Sequence, residues 1–187
     1  MALKKVVVAL ASDMSLKSVQ LGKLAKKSIL CEQYASGDTE VETLPEAATV
    51  QYAALAEYFS SGADGVAVVT LQEADFAQGI AAITEAVDRN TLVVLVGKDA
   101  VYFQGAGVSR EIDVLQRPVQ AKDIVPTLCY MSGAKLPRSA SGAVLYEVMK
   151  DRDSPFTEIA LLKTSIEGMK AAMERNTREA WDKHDCA

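Results

Sequence analysis

The chain has 187 residues, 49% of them apolar, enough for one sizeable domain that buries about two thirds of its unfolded surface without a staple. A formal net charge of −5 argues against nucleic acid or an anionic membrane as the main partner, since both are themselves negative. The three cysteines, Cys31, Cys129 and Cys186, are odd in number and lack paired spacing, which fits a reducing compartment.

Lys4, Lys5, Lys23, Lys26 and Lys27 form a basic cluster that reads as a solvated face. Residues 6–11, VVVALA, are too short a run for a signal-peptide core and far too short to span a bilayer. The expected location is therefore cytoplasmic, without membrane association.

Val6 to Leu10 is a continuous β-branched run, of the kind that forms a strand buried on both faces of a parallel sheet. Ser15 to Lys27 reads as a helix, with Ser15 as cap and Leu16, Val19 and Leu24 near one face. Ile29 to Tyr34 reads as a second strand, followed by the polar turn Ser36-Gly37-Asp38. Pro45 to Ser60 has helical spacing, with Val50, Ala54, Leu55 and Tyr58 inward and Gly62 as terminator. Gly65 to Leu71 is a strand, Ala74 to Arg89 a helix and Thr91 to Val96 another strand. Such alternation implies βαβ crossovers and a mostly parallel sheet covered on both sides, a three-layer α/β/α class.

After Gly97 the chain reads as a glycine-containing loop, through Gly105 and Gly107, towards Arg117-Pro118. Asp123 to Met131 is a short helix that tolerates Pro126 in its first turn and stops at Gly133. From Ser154 the character changes. Pro155 suits a first helical position, and Ile159, Leu162, Ile166, Met169 and Met173 recur at helical spacing. The expected organisation is an α/β core over residues 1–153, then a long amphipathic C-terminal helix and a polar tail with Trp181 over 154–187. The apolar stripe of that helix fits packing on the core, or pairing with a second copy as a homodimer.

Residues 123–149, DIVPTLCYMSGAKLPRSASGAVLYEVM, carry a recognisable order: Asp123-Ile124-x-Pro126-Thr127-Leu128, then Gly133, Pro137 and Gly142-x-x-Leu145. This stretch resembles the segment that closes the catalytic domain in the alkaline phosphatase and sulfatase superfamily. Further segments are similar to that family in the same order. Lys4 to Asp13 looks like its first strand, which ends in a metal-binding aspartate, and Leu21 to Ser28 like the following helix. Thr43 to Leu55 resembles the segment where a nucleophilic Thr or Ser opens a helix. Ala74 to Gly79 resembles a D-x-x-G-H metal motif, Thr91 to Ala100 a strand ending S-D-H-G, and Arg117-Pro118-Val119 the approach to Asp123.

The resemblance implies an alkaline phosphatase-like core. Family members hold two metals with Asp and His ligands, which activate the nucleophile and neutralise charge on the transferred phosphoryl or sulfuryl group. This chain has one histidine, His184, too few imidazoles for such a zinc centre. In D-x-x-G-H, Asp75 stands but the histidine falls on Gly79. In S-D-H-G, an ungapped reading puts Lys98 on the aspartate and Asp99 on the histidine. A one-residue gap keeps Asp99 and puts Ala100 on the histidine. The nucleophile falls on Ala48, or on Thr49 with a one-residue shift, and Asp13 sits one residue late.

The expectation is a non-catalytic, alkaline phosphatase-like domain that binds a partner or small anion, with no metal and no cofactor. Asp13, Thr49, Asp75 and Asp99 form its candidate remnant pocket at the carboxyl ends of the strands. Two readings compete with it: a divergent phosphoesterase using carboxylates alone with Mg²⁺ or Mn²⁺, and an unrelated flavodoxin-like regulatory domain. Gly105-Ala106-Gly107 lacks the context of a dinucleotide loop, and Ser132 or Ser141 lacks a general base. Cys129 reads as a buried structural thiol, and Cys186 as an exposed tail residue.

Overall fold

The computed structural model describes residues 5–19, 21–44, 47–61, 65–150, 159, 163–170 and 173. The chain divides into two units, Met1–Lys150 and Asp151–Ala187. In chain order the first forms β1 (Lys5–Ala11), β2 (Ser28–Cys31), β3 (Tyr34–Ala35), β4 (Ala47–Thr49), α1 (Leu55–Ser60), β5 (Gly65–Thr70), α2 (Phe76–Ala86), β6 (Thr91–Gly97), β7 (Val101–Gly105), β8 (Val114–Leu115), β9 (Val119–Gln120) and α3 (Ile124–Ser132). In the second unit Ile159, residues 163–170 and Met173 are helical. The rest of the expected C-terminal helix and tail, including Pro155, Leu162, Trp181, His184 and Cys186, lies outside the described residues. Among the described residues no helix is long and apolar enough to cross a membrane.

Seven strands make one sheet in the order β4-β5-β1-β6-β7-β2-β8, while β3 and β9 pair with each other. β4, β5, β1 and β6 run parallel, β7 runs antiparallel to both its neighbours, and β8 is parallel to β2. β1 lies inside the sheet, between β5 and β6, because its side chains are apolar on both faces. Val6 and Val8 join one core cluster, with Ile124, Val125, Leu128 and Cys129 of α3. Val7, Ala9 and Ala11 join the other, with Leu55 and Phe59 of α1 and Phe76 and Ile83 of α2. Each buried valine of β1 contributes about 1.5–3 kcal/mol relative to exposure, so a polar residue at any of them breaks the sheet at its middle.

The stretch from Asp123 to Met149 is held by backbone anchoring. The buried Asp123 carboxylate accepts hydrogen bonds from the backbone N–H of Gln120 (2.9 Å) and of Ala143 (2.8 Å). Thr127 donates its hydroxyl to the Asp123 carbonyl at 2.6 Å and accepts the Leu145 N–H at 3.0 Å. Gly133 ends α3 in the left-handed conformation, φ 74°, as expected. Leu145 is fully buried in the α3-side core. Arg117 adds an ion pair to Glu147 at 3.0 Å, half-exposed on both sides and so a small contribution. Asp123 and Thr127 thus act as fasteners of this segment.

Four expected elements differ from the fold. Ser15 to Lys27 is a 3₁₀ turn at Leu16–Ser18 followed by further turns. Its N–H groups reach back three residues, Leu24 to Leu21 and Lys26 to Lys23, and Gly22 and Lys27 adopt positive φ of 56° and 64°, which a right-handed helix does not tolerate. Of the expected inward residues Leu16 and Leu24 are nonetheless buried and Val19 partly so, joined by the buried Leu21, so the burial was largely right and the element wrong. In Pro45 to Ser60 the helix is confined to α1, preceded by a 3₁₀ turn at Tyr52–Ala54. Residues 47–49 are instead a strand on the open edge of β5, whose unpaired backbone groups outweigh the modest helix preference of two alanines. Pro45 and Gly62 lie outside the described residues. The loop expected after Gly97 contains β7, whose alternation sends Val101 and Phe103 to one core and Tyr102 towards the other. The expected strand over Ile29 to Tyr34 ends at Cys31, and Tyr34 pairs with Val119 in the small sheet.

Thr127→Val keeps the shape of the side chain and removes its hydroxyl, leaving the Leu145 N–H buried without its acceptor. Urea unfolding of the variant should show a loss of about 1–3 kcal/mol relative to the parent.

Candidate functional site

The register of the sheet places the expected site residues. Ala11 of β1 lies beside Gly97 of β6, and Leu10 beside Thr70 of β5, so these strands finish at one edge. Asp13, Asp75 and Asp99 all follow at this carboxyl edge, where open α/β sheets bind ligands. They do not form one cluster: among the described residues no group of three or more His, Cys, Asp or Glu is placed to hold a metal ion. Asp13 is exposed in the turn after β1. Asp75 is the residue before α2 and accepts the Gln72 N–H at 3.0 Å, which closes the turn from β5 into that helix. Thr49 is the exposed last residue of β4 and opens no helix, because the 3₁₀ turn at Tyr52–Ala54 intervenes before α1.

Asp99 is the most tightly engaged of the four. It accepts the Ser15 hydroxyl at 2.5 Å and the Leu16 N–H at 2.9 Å. The Lys98 N–H donates to the Met14 carbonyl at 2.8 Å, and the Gly97 N–H to the Ala100 carbonyl at 2.9 Å. Burial alone would raise the carboxyl's pKa, but the hydrogen bonds from Ser15 and Leu16, with the Lys17 charge nearby, outweigh it and leave the value lowered. Ser15, expected as a helix cap, is instead the donor that locks the β6–β7 connection to the end of β1.

Two glycines explain why this edge is closed. A Cβ on Gly97 would lie 2.3 Å from Cγ of the fully buried Leu16 and 3.0 Å from the Met14 carbonyl oxygen. A Cβ on Gly79, the histidine position of the resembled D-x-x-G-H, would lie 2.3 Å from Cδ2 of the buried Leu71. Leucine side chains therefore fill the space beside the end of β6 and the first turns of α2. An imidazole on Gly79 requires Leu71 to move out of the core.

An open groove remains on the outer side of this lock, about 630 Å³ in volume. It runs between the Ser15–Lys17 turn, the Lys98–Asp99 connection and residues 32–36, which leave the carboxyl end of β2. Lys17 and Lys98 bring two ammonium groups, Glu32 and Asp99 two carboxylates, and Ser15, Tyr34 and Ser36 hydroxyls. Burial pushes the Tyr34 phenol up to about 12, so it is a hydrogen-bond donor at neutral pH. Asp99 alone among the four expected residues lines this groove. Residues 32–36 carried no chemical motif that would have found them; their role follows from where β2 ends.

The buried thiols are inert. Burial pushes Cys31 up to about 12, against a smaller lowering by Arg117, and burial likewise raises Cys129, so neither offers a thiolate at neutral pH. Compared with family models, curated proteins and solved structures, the chain matches none.

Gly97→Ala forces Leu16 and the Met14 carbonyl apart and should cost about 1–3 kcal/mol in chemical unfolding. Gly79→Ala meets only the end of a flexible leucine and gains helix propensity, so its change should be near zero. Asp99→Asn tests the lock by pH. A carboxyl with a folded pKa below its unfolded value of about 3.9 adds stability at neutral pH that disappears as pH falls through the folded value. The variant should lose about 1–2 kcal/mol at pH 7, and the difference from the parent should shrink as pH falls past the ordinary carboxylate range, measured as unfolding midpoints across pH.

Proposed function

We propose that this chain is a non-catalytic, alkaline phosphatase-like domain of three-layer α/β/α architecture that binds a small anion in the carboxyl-edge groove. The observation that carries the reading is the Gly79 contact: the buried Leu71 occupies the space beside Gly79, where the resembled D-x-x-G-H motif brings its histidine. The residues that match the superfamily between Asp123 and Leu145 fasten backbone, while the departures fall where metal chemistry would be carried. The order β4-β5-β1-β6-β7-β2-β8, with β7 antiparallel, also departs from the all-parallel 2-1-3-4-5 order of flavodoxin-like regulators. Inert thiols suit the reducing cytoplasm as its setting.

For the groove, the two lysines supply donors to an anion, and the protonated Tyr34 and the Ser36 hydroxyl add neutral ones. Glu32 and Asp99 balance Lys17 and Lys98 in charge, which favours a compact mono- or dianion over a polyanion. The site is open to water, so affinity should be modest, in the millimolar range, about −4 kcal/mol.

The test has two arms. Purified full-length protein incubated with Zn²⁺, Mg²⁺ or Mn²⁺ should not hydrolyse p-nitrophenyl phosphate, bis(p-nitrophenyl) phosphate or p-nitrophenyl sulfate above a protein-free control. Titration with inorganic phosphate or sulfate, followed by NMR, should shift the signals of Lys17, Tyr34 and Lys98, and Lys17→Ala/Lys98→Ala should abolish the shifts. Metal-dependent turnover that disappears in Asp99→Ala or Asp75→Ala would overturn the proposal in favour of a carboxylate-only phosphoesterase. Unchanged spectra would remove the anion.

A further inference from the structure

We infer that the second unit carries a parallel, two-stranded coiled-coil seam through which two copies of this chain associate. The inference is independent of the groove. Among the described helical residues, Ile159, Ile166, Met169 and Met173 expose 42%, 48%, 59% and 68% of their surface, large values for apolar side chains. With Leu162, whose placement lies outside the described residues, they are spaced three, four, three and four residues apart in the sequence. That is the a/d repeat of a heptad. A helix that packs on a globular core shows a broader apolar face, with a third apolar position in each heptad. Here the flanking e and g positions are Glu158, Lys163, Ser165, Lys170 and the small Ala172, and Leu161 falls off the seam at c, so no third large apolar residue flanks the stripe and it suits one other helix.

Residue choice selects the partner and its direction. Isoleucine at a positions 159 and 166, ahead of Met173 at the third, with Leu162 and Met169 at d favours two strands in parallel. Charge agrees. A parallel seam sets Glu158 at g beside Lys163 of the partner subunit at e. An antiparallel one would bring e positions together and oppose Lys163 to Lys170 of the partner subunit. The stripe from Ile159 to Met173 covers little more than two heptads of sequence, so the association is weak and depends on concentration.

Sedimentation equilibrium on the full-length chain should show a reversible monomer–dimer equilibrium, and Ile166→Glu should abolish it without altering the melting of the first unit. Gly168 lies outside the seam, and a Cβ there meets nothing within 4 Å, so Gly168→Ala should tighten association several-fold through helix propensity alone. For direction, Met169→Cys in a Cys186→Ser background should oxidise to a disulfide-linked dimer, while Glu167→Cys, on the outer face, should not. A monomer at every concentration overturns the inference, as does a dimer that survives Ile166→Glu. A monomer whose first unit melts lower in Ile166→Glu shows instead that the stripe packs within its own chain, which also overturns it.

Discussion

The arrangement at the carboxyl edge turns on one contact: Leu16 seated against Gly97, with Asp99 gripping the turn that carries Leu16. Because Ala11 and Gly97 lie side by side in register, the turn leaving β1 and the connection leaving β6 must share the same space. They share it by interlocking. The Met14 carbonyl takes the Lys98 N–H, Asp99 takes the Leu16 N–H and the Ser15 hydroxyl, and the leucine side chain fills what is left. A side chain at Gly97 is incompatible with that arrangement, and so is an Asp99 free to turn elsewhere.

Polar side chains elsewhere in the first unit serve the backbone in the same way. Between Asp123 and Leu145, the Asp123 carboxylate and the Thr127 hydroxyl satisfy the N–H groups of Gln120, Ala143 and Leu145. At the carboxyl edge, Asp75 and Asp99 do the same for Gln72 and Leu16. A carboxylate that accepts two hydrogen bonds from its own chain is already solvated by protein, and it has little to gain from a metal.

Much of the fold was legible in the sequence. β1, β5 and β6 are runs of β-branched and aliphatic residues too continuous to be half-buried, and α2 and α3 have clear periodicity and recognisable ends. The failures were equally physical. Residues 47–49 became a strand because β5 had an edge to fill, which no local propensity records. The Leu16–Leu24 segment kept its apolar pattern but lost its helix to left-handed residues. β7 was obscured by the glycines that follow it, although its own alternation was readable.

For the site, the sequence by itself determined what chemistry was missing: a chain with one histidine cannot build a pair of imidazole-rich metal centres, whatever its fold. It also brought Asp13, Asp75 and Asp99 to one edge, since each follows a strand of the same direction. Only the tertiary structure decided that they do not converge, because convergence depends on where each connecting turn sends its side chain. For Asp99 that direction is set by contacts between residues more than eighty positions apart, Ser15 and Leu16 with Asp99, and no local pattern encodes them.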